Sequence, residues 1–247
     1  MAQYMTEALV LSLRNWGDAD KMVTLLTKER GRIKAAAFGC RRPRSPLAGG
    51  MQLFNYLDVQ LTEGQRLDTV KQCTLRRNFK RLSEDLTAMA YGAFVAELAL
   101  EFSPEHVAEP ALFDRLVLIF AAFETRNPRI TALAAAYQLL EFTGLQLHYE
   151  RCVHCGREIN GDASFALQEG GVLCSDCRIP GAESFPAELR ELILGLLRLD
   201  WQGTGALRVH KAELLAAERL LLAYLQSLFG RPLRSLAFIQ QLAAVAK

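Results

Sequence analysis

A chain of 247 residues that is 51% hydrophobic and 23% charged has enough apolar material for a substantial core, and a globular protein of two domains is expected. No apolar run reaches the roughly 18 residues a membrane helix needs, and Met1 to Leu11 lacks the basic start and small-residue cleavage site of a signal peptide, so spanning and secretion are excluded as default readings and a cytoplasmic location is expected. The net charge of +2 hides a split: residues 1–82 hold 15 Lys/Arg against 7 Asp/Glu, a net of +8, whereas residues 83–247 hold 14 against 20, a net of −6. One part is suited to a polyanion and the other is not, although a merely solvated basic surface gives the same count.

In chain order, Leu9, Leu11 and Leu13 alternate with Val10, Ser12 and Arg14, and apolar runs at Met22 to Thr27 and Ile33 to Phe38 flank Lys28 to Arg32. Leu57, Val59 and Leu61 alternate with Tyr56, Asp58 and Gln60, and a last run covers Leu67 to Leu75. Five short strands predict a small barrel of the oligonucleotide-binding class over residues 1–80. Between the third and fourth strands, Gly39 to Gly50 is rich in Gly, Pro and Arg and reads as a long exposed basic loop.

After residue 82 the period lengthens to about 3.6. Leu82, Leu86, Met89, Ala93, Ala96 and Leu100 mark a long helix with Ser83 as its expected N-cap. Pro110 opens a second helix carrying Phe113, Leu116, Phe120 and Phe123, and Asn127-Pro128 open a third that ends near Gly144. Pro186 opens a fourth, followed by Lys211 to Phe229 and Ser235 to Ala246. The fold class is therefore α+β and multi-domain: the barrel, then a mostly helical domain over 81–247 with an insertion at about 151–178.

That insertion holds Cys152-Val153-His154-Cys155 and, 18 residues on, Cys174-Ser175-Asp176-Cys177. Two Cys-x-x-Cys turns can close a tetrahedron of thiolates around one structural zinc ion with no open position, and His154 is a bystander when Cys152, Cys155, Cys174 and Cys177 are all present. Disulfides or a redox pair are the competing readings. His148-Tyr149-Glu150 suggests a deaminase His-x-Glu, but one residue before Cys152 leaves no chain for the elements that separate these motifs in such enzymes. No nucleophile elbow or phosphate loop occurs either, and no enzyme is expected.

The basic residues fall in two groups: Lys34, Arg41, Arg42 and Arg44 on the third strand and its loop, and Arg76, Arg77, Lys80 and Arg81 after the fifth strand. Both are expected to line one DNA-binding groove. Phe54 and Tyr56 either stack on bases beside them or pack against helical residues.

Glu7 to Leu11, Gly17 to Lys21, Leu25 to Gly39, Arg41-Arg42-Pro43-Arg44-Ser45, the four-Cys knuckle and Gly230-Arg231-Pro232-Leu233-Arg234-Ser235-Leu236 together resemble the bacterial RecO family of recombination mediators over nearly the whole chain. The resemblance implies a non-catalytic, nucleoid-associated protein. Such a protein binds single- and double-stranded DNA, anneals complementary strands and, with RecR and often RecF, helps load RecA onto DNA coated by single-strand-binding protein. It also implies that Lys34, Arg41, Arg42 and Arg44 are DNA contacts. The family's pocket for the tail of single-strand-binding protein needs a basic residue, and Arg126 and Arg129 are the nearest to the helix Ile130 to Phe142. Two other classes compete. A zinc-bearing repair glycosylase would need a nucleophile that Met1-Ala2-Gln3-Tyr4 does not offer, and a zinc-containing RNA-binding factor would share the same barrel.

Overall fold

A computed structural model describes residues 2–203, 205 and 207–245 and divides the chain into two units, Met1–Ala132 with Leu233–Lys247, and Leu133–Pro232. In the first unit the strands β1 (Gln3–Trp16), β2 (Asp20–Thr27), β3 (Gly31–Ala37), β4 (Tyr56–Thr62) and β5 (Asp68–Arg77) close into a barrel in the order β1-β2-β3-β5-β4. All pairings are antiparallel except the short β3–β5 seam, Ala35 with Asp68 and Ala36 with Thr69, which closes it. The barrel expected from the sequence is present.

The first strand differs in detail. It is long enough to pair with β4 through its first half and with β2 through its second, and its register shifts between Val10 and Ser12. Such a bulge changes the parity of the side chains. Ala8, Val10 and, past the bulge, Leu13 therefore pack on the barrel core, while Leu9 and Leu11 are buried on the opposite face of a strand against which a helix packs. Small residues at Ala8, Ala35 and Ala37 keep the barrel narrow. The β2–β3 turn holds Gly31 at φ +68°, with Val107 O only 1.9 Å from where a Cβ would stand. Only glycine satisfies both conditions.

The β3–β4 connection is not the wholly exposed loop expected. It is a chain of tight turns (Arg42 N–H to Gly39 O, Ser45 N–H to Arg42 O, Ala48 N–H to Ser45 O) in which Cys40, Leu47 and Met51 join the barrel core. Apolar residues too few to form an element still find cover by plugging the barrel, which leaves the Arg41–Arg44 tip outside.

Helices α1 (Lys80–Glu84), α2 (Leu86–Phe102) and α3 (Pro110–Ala122) follow. The long helix starts at Asp85 rather than Ser83: an extended backbone at Asp85 separates α1 from α2, and its Oδ1 accepts from the N–H groups of Thr87 (2.8 Å) and Ala88 (3.2 Å). Ser83 instead donates its hydroxyl to Lys80 O at 2.8 Å. Phe120 of α3 meets Phe54 and Phe79 edge-on, with centroids 5.5 and 5.8 Å apart. Helix α4 (Pro128–Phe142) is capped by Asn127 Oδ1, which accepts from Arg129 and Ile130 N–H, and the boundary between units falls within it.

The second unit carries the rest of α4, a three-stranded antiparallel sheet of β6 (Ala163–Ala166), β7 (Gly171–Leu173) and β8 (Glu183–Phe185) in the order β7-β6-β8, and helices α5 (Ala187–Leu197) and α6 (Lys211–Phe229). Tyr149, Phe165 and Phe185 stack in its core, and the buried Tyr137 hydroxyl donates to Ala217 O at 2.9 Å. Helix α7 (Arg234–Val245) returns to the first unit and packs on α2, where the Arg234 and Ser235 N–H groups donate to the Glu97 carboxylate at 2.9 and 2.8 Å. Ala246, the expected end of this helix, lies outside the described residues. Among the described residues no helix is long and apolar enough to cross a membrane.

Candidate nucleic-acid interface and metal centre

The eight cations singled out in the sequence have different surroundings. Lys34 Nζ lies 2.5 Å from Glu105 Oε1, and this ammonium, with Arg32 nearby, holds the Glu105 carboxyl below the usual carboxylate range. Arg76 closes on Asp58 (2.7 Å) and Glu7 (3.0 Å) and donates to the Tyr56 hydroxyl at 3.0 Å. Arg81 bonds the C-cap carbonyl of α3, Phe123 O, at 3.2 Å and Arg126 O in the connection that follows at 2.9 Å, and its own N–H donates to Glu124. A cation at a helix C-terminus is a structural clamp. Arg77 lies over the Phe79 ring, and Lys80 faces Glu84 one turn on.

The loop tip is different. Arg41, Arg42 and Arg44 are exposed and make no ion pair with any described residue; Arg41 spends one N–H on Gly17 O at 3.3 Å. Among the described interactions the two basic groups share no partner. The three loop arginines thus stand together as uncompensated charge, while Lys34, Arg76 and Arg81 are engaged within the fold.

Phe54 and Tyr56 pack inward. Phe54, at φ +68° just before β4, is buried against Phe120, and Tyr56 meets Phe113 edge-on at 5.7 Å while its hydroxyl donates to Glu7. The exposed aromatic pair beside the basic loop is Trp16 with Phe38, which the alternation pattern did not single out. Their position next to Gly17 and Gly39, at strand ends that a turn leaves open, is the signal that could have found them.

In the second unit the thiols of Cys152, Cys155, Cys174 and Cys177 all lie within 4.8 Å of one another, forming a cluster that can hold a metal ion. Cys155 and Cys174 sulfurs are 3.7 Å apart. The first turn is set by Gly156 N–H to Cys152 O and by Gly156 at φ +74°, the second by Cys177 N–H to Cys174 O, and Val153 N–H to Val172 O ties the first turn to β7. Burial pushes the Cys152 thiol up, but N–H groups of Cys174, Cys155 and His154 directed at its sulfur outweigh this and bring it down to about 6. Arg157 and Asp176 pair at 2.7 Å, linking the two turns. His154 pairs with Glu169 at 3.0 Å and stays out of the sulfur cluster, and Glu150 pairs with Arg198.

Residues 1–79 match the family model for the recombination protein O N terminal, and residues 83–237 match the one for its C terminal. The chain is 36% identical to the DNA repair protein RecO of Symbiobacterium thermophilum, over 98% of each chain. It is 32% identical to that of Pelotomaculum thermopropionicum over 98% of this chain and 95% of the relative, and 34% identical to that of a Nocardioides species over 96% and 99%.

Proposed function

We propose, since this chain belongs to the RecO family of DNA repair and recombination proteins, that it is a recombination mediator working by binding rather than by chemical turnover. The observation that carries this reading is the Arg41–Arg44 tip: three guanidiniums held on a plugged barrel with no acidic partner among the described residues. Phosphates are the missing counter-charge, and their capture releases counterions whatever the base sequence. Arg77 and Lys80 extend the contact, whereas Lys34, Arg76 and Arg81 join it only by leaving their present partners.

The functional division runs near residue 80. Residues 1–80 hold a single or double strand by its phosphates with the bases free to pair, and the acidic remainder, 81–247, repels that polymer and stays open to proteins. On this reading the protein anneals complementary strands and, with RecR and RecF, hands strands coated by single-strand-binding protein to RecA in the nucleoid. Annealing of complementary oligonucleotides without nucleotide hydrolysis, together with co-purification of RecR, is the expected result. Annealing at the spontaneous rate with no RecR complex refutes it.

The insertion at about 151–178 is a structural zinc site held by Cys152, Cys155, Cys174 and Cys177. Thiolates about 2.3 Å from a tetrahedral ion stand about 3.8 Å from each other, and the Cys155–Cys174 separation of 3.7 Å fits. When bound, the ion supplies cross-linking and no chemistry, because all four positions are taken by the protein. N–H groups aimed at the Cys152 sulfur and the Arg157 cation beside Cys174 and Cys155 offset the negative charge of the thiolates.

A further inference from the structure

We propose that Trp16 and Phe38 form a stacking platform for the bases of single-stranded DNA, set against the guanidiniums of Arg41 and Arg42. The proposal rests on the DNA-binding reading above and adds a base-contacting site to its phosphate contacts. Trp16 is 41% and Phe38 52% exposed, their centroids are 5.9 Å apart and their planes are inclined by 40°. Rings this close already touch each other, so their outer faces are what a ligand meets.

The platform is preorganised. Trp16 ends β1 opposite Asp20, and Phe38 immediately follows β3, where Ala37 pairs with Lys21. Three hydrogen bonds tie the β1–β2 turn to the root of the basic loop: Gly39 N–H to Asp20 Oδ1 (2.7 Å), Arg41 N–H to Ala19 O (2.8 Å) and Arg41 Nη1 to Gly17 O (3.3 Å). Arg42 lies over Gly39, its Cδ 3.6 Å from where a glycine Cβ would stand.

Charge selects the occupant. Arg14 precedes Trp16 by two residues on β1 and Arg41 and Arg42 follow Phe38 by three and four, while Lys21 is spent on Met51 O at 2.9 Å; the acids of the same turn are Asp18 and Asp20, the latter engaged by the Gly39 N–H. A neutral protein surface has no use for such a cationic margin, and an acidic peptide, although it has, lacks the successive planar bases that two adjacent ring faces suit. A single strand needs the margin, because phosphates reach the arginines while adjacent bases lie on successive ring faces without regard to sequence. A duplex, its bases already stacked, gains only the phosphate contacts.

The test compares binding of a thymidine strand of about 15 nucleotides with an abasic strand of the same length, by fluorescence anisotropy. Stacking on two rings favours the thymidine strand by at least about 10-fold, and Trp16→Leu with Phe38→Leu removes that preference while leaving affinity for the abasic strand unchanged. Phe38→Tyr retains it. In a Trp201→Phe background, where Trp16 is the remaining tryptophan, the thymidine strand quenches the fluorescence and the abasic strand does not. Equal affinity of the unaltered protein for both strands overturns the platform and leaves the arginine reading standing, whereas binding of neither overturns both. A preference that survives the double leucine variant also overturns it, and loss of self-association in that variant assigns the pair to a second copy of the chain.

Discussion

Replacing Arg41, Arg42 and Arg44 together with alanine separates uncompensated charge from charge already spent. Each phosphate contact to a single strand contributes about 0.7 to the slope of log affinity against log salt. With the three loop arginines and one or two of Arg77 and Lys80 in contact, the slope is about −3, and removing the three leaves about −1. Raising salt from about 50 to 200 mM then weakens the unaltered protein about 60-fold and the variant about 4-fold. Arg76→Ala changes the slope by less than about 0.5, because that guanidinium already neutralises Glu7 and Asp58. Anisotropy titrations of a fluorescent oligonucleotide at four or so salt concentrations measure both. A slope that the triple variant leaves intact, or one that Arg76→Ala flattens equally, refutes the assignment of the interface to the loop tip.

Further predictions concern the fold. Cys174→Ser should abolish binding of one zinc per chain, as metal analysis would show, and should expose residues 151–178 to protease, since a closed thiolate site contributes on the order of 10 kcal/mol to folding. Retained stoichiometric zinc would contradict it. Gly31→Ala combines a positive φ with the 1.9 Å approach of Val107 O and should cost about 2–3 kcal/mol, a fall in melting temperature of roughly 5–10 °C; an unchanged melting curve would show that the turn can yield. Asp85→Ala should cost about 1 kcal/mol at neutral pH. Because the Ala88 N–H, with those of Thr87 and the Arg81 guanidinium, holds the Asp85 carboxyl below its unfolded value of about 3.9, its contribution is complete above that value and is lost as pH falls through the folded one. Asp85→Asn should therefore flatten the acid limb of stability below about pH 4, and an identical limb in the variant would exclude this cap as its source.

Features written in short-range chemistry were legible. Helix α6 runs from Lys211 to Phe229 as its periodicity predicts, because Gly230 at φ +65° stops it, and the metal cluster follows from the spacing of its ligands. Features decided by distant partners were not. Whether Leu9 or Val10 faces the barrel depends on a bulge that alternation does not reveal. The helix start moved to Asp85 because the chain bends there, which Ser83 and Asp85 signal equally well. Strands of three or four residues around the cysteines are too short to show a period. In the interface, Lys34 is compensated by Glu105 from a connection beyond the next long helix, and Trp16 and Phe38 are exposed because no element covers them. The first fact has no local trace, and the second leaves only the glycine that follows each ring.

Glu97 receives the first N–H groups of α7, yet residues 133–232 lie between the two partners' segments. In a chain synthesised from its amino end, about 130 residues separate completion of α2 from arrival of α7, an interval on the order of 10 s at bacterial or eukaryotic elongation rates. The barrel has no such wait, since its strands are all made by Arg77. The nascent chain can thus close its phosphate-facing barrel while one side of α2 is still bare, and the first unit matures only after the entire second unit has emerged. A ribosome stalled between residues 132 and 233 holds a finished barrel on an unfinished helical layer, the stage at which chaperone capture has a defined target.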